Sequence, residues 1–340
     1  PDLEAYVLSP TIDVELEWIS GRSNFTMDIL YQYDFFYDND YLDDADFLKT
    51  SSWWDYTLND RFSVIYEDQF NMSAGGADYI DRPESQDDYL DFVSWTGIRF
   101  KASENFALDV TGIYGTREFD EETEVLHGED WQDLGFKVES RFSFIPEMAF
   151  LFNYTFVDRE FKDYDIIPGV TVINACFGWK TKLQTETLVE VKAELYRFEF
   201  EGEVPRYTET DYNNYGVSAI VEHPFSDFVK LTLSGFSRFE LSDKAVRLFY
   251  HDTGGSAELG CDFLYDIHLD AWARYDFLDY DGQATNLEER ILRAGFDVSK
   301  KLTPWMNVSG GYSYFDRDSD FSSMNIRSNN FSVSANFMLP

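Results

Sequence analysis

Cysteine is nearly absent. Cys176 and Cys261 are the two in 340 residues, too few for a disulfide framework. The strand pattern read below puts them four strands apart on opposite faces, so no bridge is expected. No run of about 18 apolar residues exists, and mean hydropathy is -0.38. Helical membrane spans are therefore excluded. Strand spans are not, because only alternate residues of such a strand touch lipid. Basic residues are scarce: 27 Lys and Arg stand against 64 Asp and Glu, a formal net charge of -37. Nucleic-acid binding needs cations along the phosphates, so this acidity argues against that class. It argues against polybasic contact with anionic lipid as well. Pro1-Asp2 runs straight into polar sequence. The charged and apolar regions of an export signal are not there, and an exported protein would already have lost them.

Aromatic residues are abundant, at 18%, with 32 Phe and 22 Tyr. They suit strands and surfaces with one apolar and one wet side. The dominant pattern has period two. Phe25, Met27, Ile29, Tyr31, Tyr33, Phe35 and Tyr37 form an unbroken apolar row, interleaved with Asn24, Thr26, Asp28, Gln32 and Asp34. Successive strand side chains point to opposite faces, so one face is apolar and the other polar. The pattern recurs at Met148–Phe156, Val229–Phe239, Ile267–Phe277, Met306–Tyr314 and Phe331–Leu339.

A soluble β-sandwich would turn the apolar face inward; a membrane barrel turns it outward. Alternation alone does not separate the two. Three features favour the barrel. Several rows exceed ten residues, whereas ordinary strands average about 5–6. Short connections such as Ser20–Ser23, Leu58–Arg61, Ala102–Asn105, Ile145–Glu147 and Tyr265–Asp266 alternate with long ones near 38–46, 73–88, 119–130, 158–167, 199–211, 279–287 and 316–324. The long ones concentrate acid, as in DNDYLDDAD at 38–46, and must be solvated. The expectation is a single all-β unit over 1–340: a transmembrane antiparallel up-and-down β-barrel of 16–18 strands. It has short periplasmic turns and longer acidic extracellular loops. About seventeen strands are countable. Bacterial barrels have even counts, so one strand is expected either to be missing upstream or to be false. Asp68 fits poorly, since it shares the phase of Phe62, Val64, Tyr66 and Phe70. A bulge or a register error is expected there.

The opening strand Ser9-Pro10-Thr11-Ile12-Asp13-Val14 carries a family resemblance. So do the aromatic strand ending Tyr37-Asp38-Asn39-Asp40 and turns of the type Leu58-Asn59-Asp60-Arg61-Phe62-Ser63. In these the chain resembles the β-barrel porins of type two, which include outer-membrane proteins encoded with exopolysaccharide export. The resemblance implies a barrel channel, with a polysaccharide among its candidate cargoes, and transfers no catalytic residue. Phe331, Val333, Ala335 and Phe337 are similar to the terminal signal read by outer-membrane assembly machinery. Met338-Leu339-Pro340 departs from it, because the aromatic is not terminal.

Chemistry is sparse. Of four histidines, His127 lies in an acidic loop, His223 precedes Pro224, and His251 beside Asp252 alone resembles an Asp/His pair. No Gly-x-Ser-x-Gly elbow frames a nucleophile. No enzyme is expected. Asp316, Asp318 and Asp320 open like a calcium loop, but Phe321 and Arg327 replace the required Gly and Glu, so the EF-hand fails. Looser Ca2+ binding remains open at these and at Asp38, Asp40 and Asp43, where divalent cations would bridge to lipopolysaccharide. Trp53 and Trp54 are adjacent, so they cannot both face lipid. Expected lumen-facing residues are Asp28, Asp34, Glu67, Arg99, Asp109, Lys137, Glu139, Arg141, Glu190, Lys192, Glu194, Arg238, Asp270, Arg274, Arg293 and Asp297. The expected function is passive passage of small hydrophilic solutes, cation-leaning, through the outer membrane of a Gram-negative bacterium. The alternatives are polysaccharide export and a structural barrel in a larger complex. Expected partners are outer-membrane lipid, lipopolysaccharide and solute, with room for a homo-oligomer or complex partner. No organic cofactor is expected.

Overall fold

A computed structural model describes residues 3–37, 45–74, 89–119, 130–161, 169–201, 211–241, 249–280, 287–320 and 325–339. All regular structure among them is β. The strands are β1 Leu3–Ser20, β2 Ser23–Tyr37, β3 Ala45–Asn59, β4 Phe62–Ala74, β5 Tyr89–Ser103, β6 Phe106–Phe119, β7 Trp131–Ile145, β8 Met148–Phe161 and β9 Val170–Lys182. Then follow β10 Leu188–Phe200, β11 Asp211–Ser226, β12 Val229–Leu241, β13 Phe249–Phe263, β14 Ile267–Tyr280, β15 Leu287–Thr303, β16 Met306–Ser319 and β17 Ile326–Leu339. A strand of 14 residues at a tilt of about 40° spans roughly 35 Å, enough for a ~30 Å hydrocarbon core.

Every strand pairs antiparallel with its successor, from β1·β2 to β16·β17. The ring closes because β17 pairs β1 in parallel, from Leu3 opposite Ile326 to Leu16 opposite Leu339. An odd strand count requires one such parallel neighbour. All seventeen counted strands are present among the described residues, within the expected range of 16–18, and their odd number is accommodated by the parallel pair. Pro10 lies in the seam strand, where the β1·β2 ladder skips Ser9 and Pro10. A proline has no N–H to give a ladder.

Five register shifts fall beside short turns, at Thr57/Asn59, Lys101/Ser103, Ser143/Ile145, Pro224/Ser226 and Lys301/Thr303. Such bulges let the sheet bend at one rim. Gly21 takes φ +58° in the first turn, a region that costs a side chain least at glycine. No bulge sits at Asp68. The ladder runs unbroken from Ser52 through Asp68 to Ser94, so the residue belongs on the apolar face.

The two faces have opposite environments. Ile12, Leu134, Phe177, Leu195, Val217 and Val333 are each more than half exposed, while Asp34, Asp276, Glu289 and Arg317 are at most 2% exposed. A soluble protein shows the reverse. A closed sheet with charge inside and grease outside has the polarity of a membrane barrel, and the sandwich alternative is excluded.

Candidate functional site: the inner wall

Residues directly opposite one another on paired strands share a face. Ladder by ladder, the register puts all sixteen expected lumen-facing residues on the face opposite the apolar rows. Trp53 joins them, flanking Glu67 with Trp95, while Trp54 faces out beside Tyr66.

Ionic pairs lace this wall, both across strands and along them. The Arg99 guanidinium donates to both Asp109 oxygens at 2.8–3.1 Å, and to Asp55 at 3.1 Å. Asp55 lies two strands from Arg99, a reach that a concave wall allows. Lys137 pairs with Glu139 at 2.9 Å. Glu190 holds Lys180 at 3.1 Å and Lys192 at 2.6 Å. Asp270 holds His268 at 2.9 Å, and His268 also meets Asp262 at 2.7 Å.

Towards the long-connection end the inner wall becomes a buried belt. It combines ion pairs with apolar packing. Arg117 meets Asp91 at 2.6 Å, Arg159 meets Asp133 at 2.7 Å, and Arg317 meets Glu289 at 2.7 Å. Arg238 meets Asp252 at 3.0 Å, while Arg274 and Arg293 share Asp276 at 2.9 and 3.1 Å. Trp131, Phe161, Val170, Phe198 and Phe200 pack together there, as do Ile291, Phe315 and Ile326. Arg159 stacks over Trp131 at 4.0 Å, which shields the cation with an aromatic face. The belt lines one end of the inner wall with paired, oriented charges. Sequence did not single out Arg117, Asp91, Arg159, Asp133, Glu289 or Arg317. They sit on the polar phase near strand ends, where alternation gives no sign of burial.

His251 and Asp252 point to opposite faces: His251 meets the Ser237 hydroxyl at 2.7 Å on the outer side, and Asp252 meets Arg238 inside. They form no catalytic pair. His223 meets Thr187 at 2.8 Å. Asp316 accepts from Arg327 at 3.1 Å and from the Tyr314 hydroxyl at 3.1 Å, and Asp320 accepts from the Glu288 N–H at 3.2 Å. Asp318 lies opposite Arg290. These carboxylates face arginines and backbone donors. Among the described residues, no group of three or more His, Cys, Asp or Glu is arranged to hold a metal. Asp38, Asp40, Asp43 and His127 lie outside the described residues. Cys176 and Cys261 are free thiols, on opposite faces of β9 and β13.

No protein-family model and no curated protein matches the chain. Solved structures do match in fold. The FrpB iron transporter from Neisseria meningitidis (F3-3 variant) superposes with TM-score 0.57 at 7% identity, over 89% of this chain and 59% of that one. The ferric citrate transporter FecA in its unliganded form gives 0.53 at 12%, over 89% and 56%. The copper transporter OprC gives 0.52 at 9%, over 88% and 59%. This chain spans less than two thirds of each of those proteins. At such identity the likeness is one of fold, that of a Gram-negative outer-membrane β-barrel. It reaches no narrower family, so the resemblance to type-two porins is not carried further.

Proposed function

We propose that the protein is a cation-leaning aqueous conduit for small hydrophilic solutes across an outer membrane. The inversion of the two faces carries this reading: grease is exposed outward, and paired charge encloses the lumen. A barrel of this strand number is wide enough for water, unlike an eight-stranded one filled by side chains. The acid surplus sets the sign of the lumen field, which attracts cations. The matched iron, ferric citrate and copper transporters share the barrel and are consistent with transport through it.

Reconstitution into planar bilayers tests the proposal. A steady open conductance is expected, with a reversal potential on the cation side in a salt gradient. Asp28 and Glu67 are exposed on the inner wall, so replacing both with Lys should move the reversal potential towards the anion side. A silent bilayer containing inserted protein would overturn the channel and favour a structural sleeve. Passage of a polysaccharide is favoured by one observation, the indoles of Trp53 and Trp95 on either side of Glu67. Aromatic planes beside a carboxylate suit a sugar ring. Block of the conductance by neutral oligosaccharides, lost in Trp53→Ala, would select that cargo.

A further inference from the structure

The inner wall holds a recess of about 690 Å³ at its short-turn end, within the size range of small-molecule sites. It spans β12 to β14, and its lining includes Phe228, Lys230, Glu258, Asp262, His268 and Asp270. The charges there do not cancel. Lys230 is drawn to Glu222 on β11 at 2.6 Å. His268 is shared by Asp262 and Asp270, at 2.7 and 2.9 Å. Glu258 is left with no hydrogen-bond or ionic partner among the described residues.

Aromatic rings border the same place. Phe228 is 62% exposed on the side of the turns. Trp272 stands directly opposite Glu258 in the β13·β14 register. Its indole rests on Gly295, where a Cβ would stand 2.9 Å from Cζ2 and 3.1 Å from Cε2. A larger residue at 295 would push the ring off the wall. The indole N–H donates to Asp297 at 3.4 Å, and Asp297 lies directly opposite Asp270. Like charges so placed are unfavourable unless a cation joins them. Glu258, Asp270 and Asp297 thus surround one indole, and none of the three pairs with a Lys or Arg among the described residues.

We propose that the recess and the Trp272 indole together bind an organic ammonium ion. The indole and Phe228 offer aromatic faces, which attract alkylammonium groups, and Glu258, Asp270 and Asp297 supply the counter-charge. The register spreads these carboxylates over three strands. Among the described residues they are not grouped to hold a metal, so a bare metal ion finds no ligand set. A bulkier cation, with its charge spread over alkyl groups, reaches the carboxylates and the rings at once. A neutral sugar would leave Glu258 and Asp297 unmatched. The inference rests on the lumen reading of this face and names the solute class that a cation-leaning conduit would hold.

The test uses the full chain in detergent micelles, with folding checked by heat-modifiable gel migration. Choline is the probe, and its methyl proton line width is titrated by NMR. Binding is read without current, so a silent bilayer and an empty site are separate results. Saturable broadening is expected with choline and none with dimethylbutanol, its uncharged isostere. Trp272→Leu should weaken choline about tenfold, the scale of a partly desolvated cation–π contact. Glu258→Gln, at an exposed position, should weaken it about fivefold. Glu15→Gln, which removes the same charge from β1, should leave it unchanged. Absence of saturable broadening would overturn the proposal, and so would equal binding of dimethylbutanol. Unchanged affinity in folded Trp272→Leu would overturn it too, as would equal weakening by Glu258→Gln and Glu15→Gln, which would reduce the effect to the general field of the lumen.

Discussion

Arg317→Met is expected to lower the unfolding free energy by about 3–5 kcal/mol, the range seen when one partner of a buried ion pair is removed. Arg317 and Glu289 are 2% and 0% exposed, and their charges meet at 2.7 Å. Within the belt, water cannot replace the lost cation. The damage comes from stranding Glu289, so adding Glu289→Gln should restore most of the loss. Urea titrations in lipid vesicles, read by tryptophan fluorescence, measure both. Equal stability of the native chain and the single variant would mean that the belt is hydrated.

Leu195→Arg is expected to cost about 2–4 kcal/mol, the range for a cation on the lipid face near the bilayer midplane. Leu195 lies in β10 and is 58% exposed, yet it is an ideal residue where the surrounding solvent is acyl chain. Asp28→Arg provides the contrast. Asp28 is an exposed inner-wall residue directly opposite Glu15. Like charges opposite one another are unfavourable, so this reversal should stay within about 0.5 kcal/mol of the native chain. The same titration reads both variants. Were the outer face watered, the two effects would converge.

Much of this was legible in the sequence because strand geometry has only two faces. One row, Phe25 to Phe35, fixed the phase of β2, and the phase of every lumen candidate followed in the same way. The split of Trp53 and Trp54 between faces needed nothing more. What escaped reading depends on three-dimensional closure. Parity is a property of the ring: seventeen strands close only through a parallel neighbour, which no local pattern announces. Asp68 invited a bulge because a strand pattern assumes one solvent per face, whereas a local contact can override it. The buried belt was missed because Arg317 and Arg141 look alike in alternation; one sits in the packed end of the lumen and the other does not. His251 and Asp252 looked like partners for the opposite reason, since neighbours in sequence are on opposite sides of a sheet. The family suggested by Ser9–Val14 and the aromatic strand rests on patterns that any outer-membrane barrel is driven to adopt by the same lipid and water.

Lipid exposure along Val189 to Leu195 gives the most direct check. Single cysteines would replace these residues in turn, in a chain lacking Cys176 and Cys261, each carrying an environment-sensitive fluorophore in liposomes. Quenching by nitroxide lipids should be strong at 189, 191, 193 and 195. Iodide in the water should quench 190, 192 and 194. The same alternation with the quenchers exchanged, or no alternation at all, would contradict a barrel that shows its apolar side to lipid and encloses its charges.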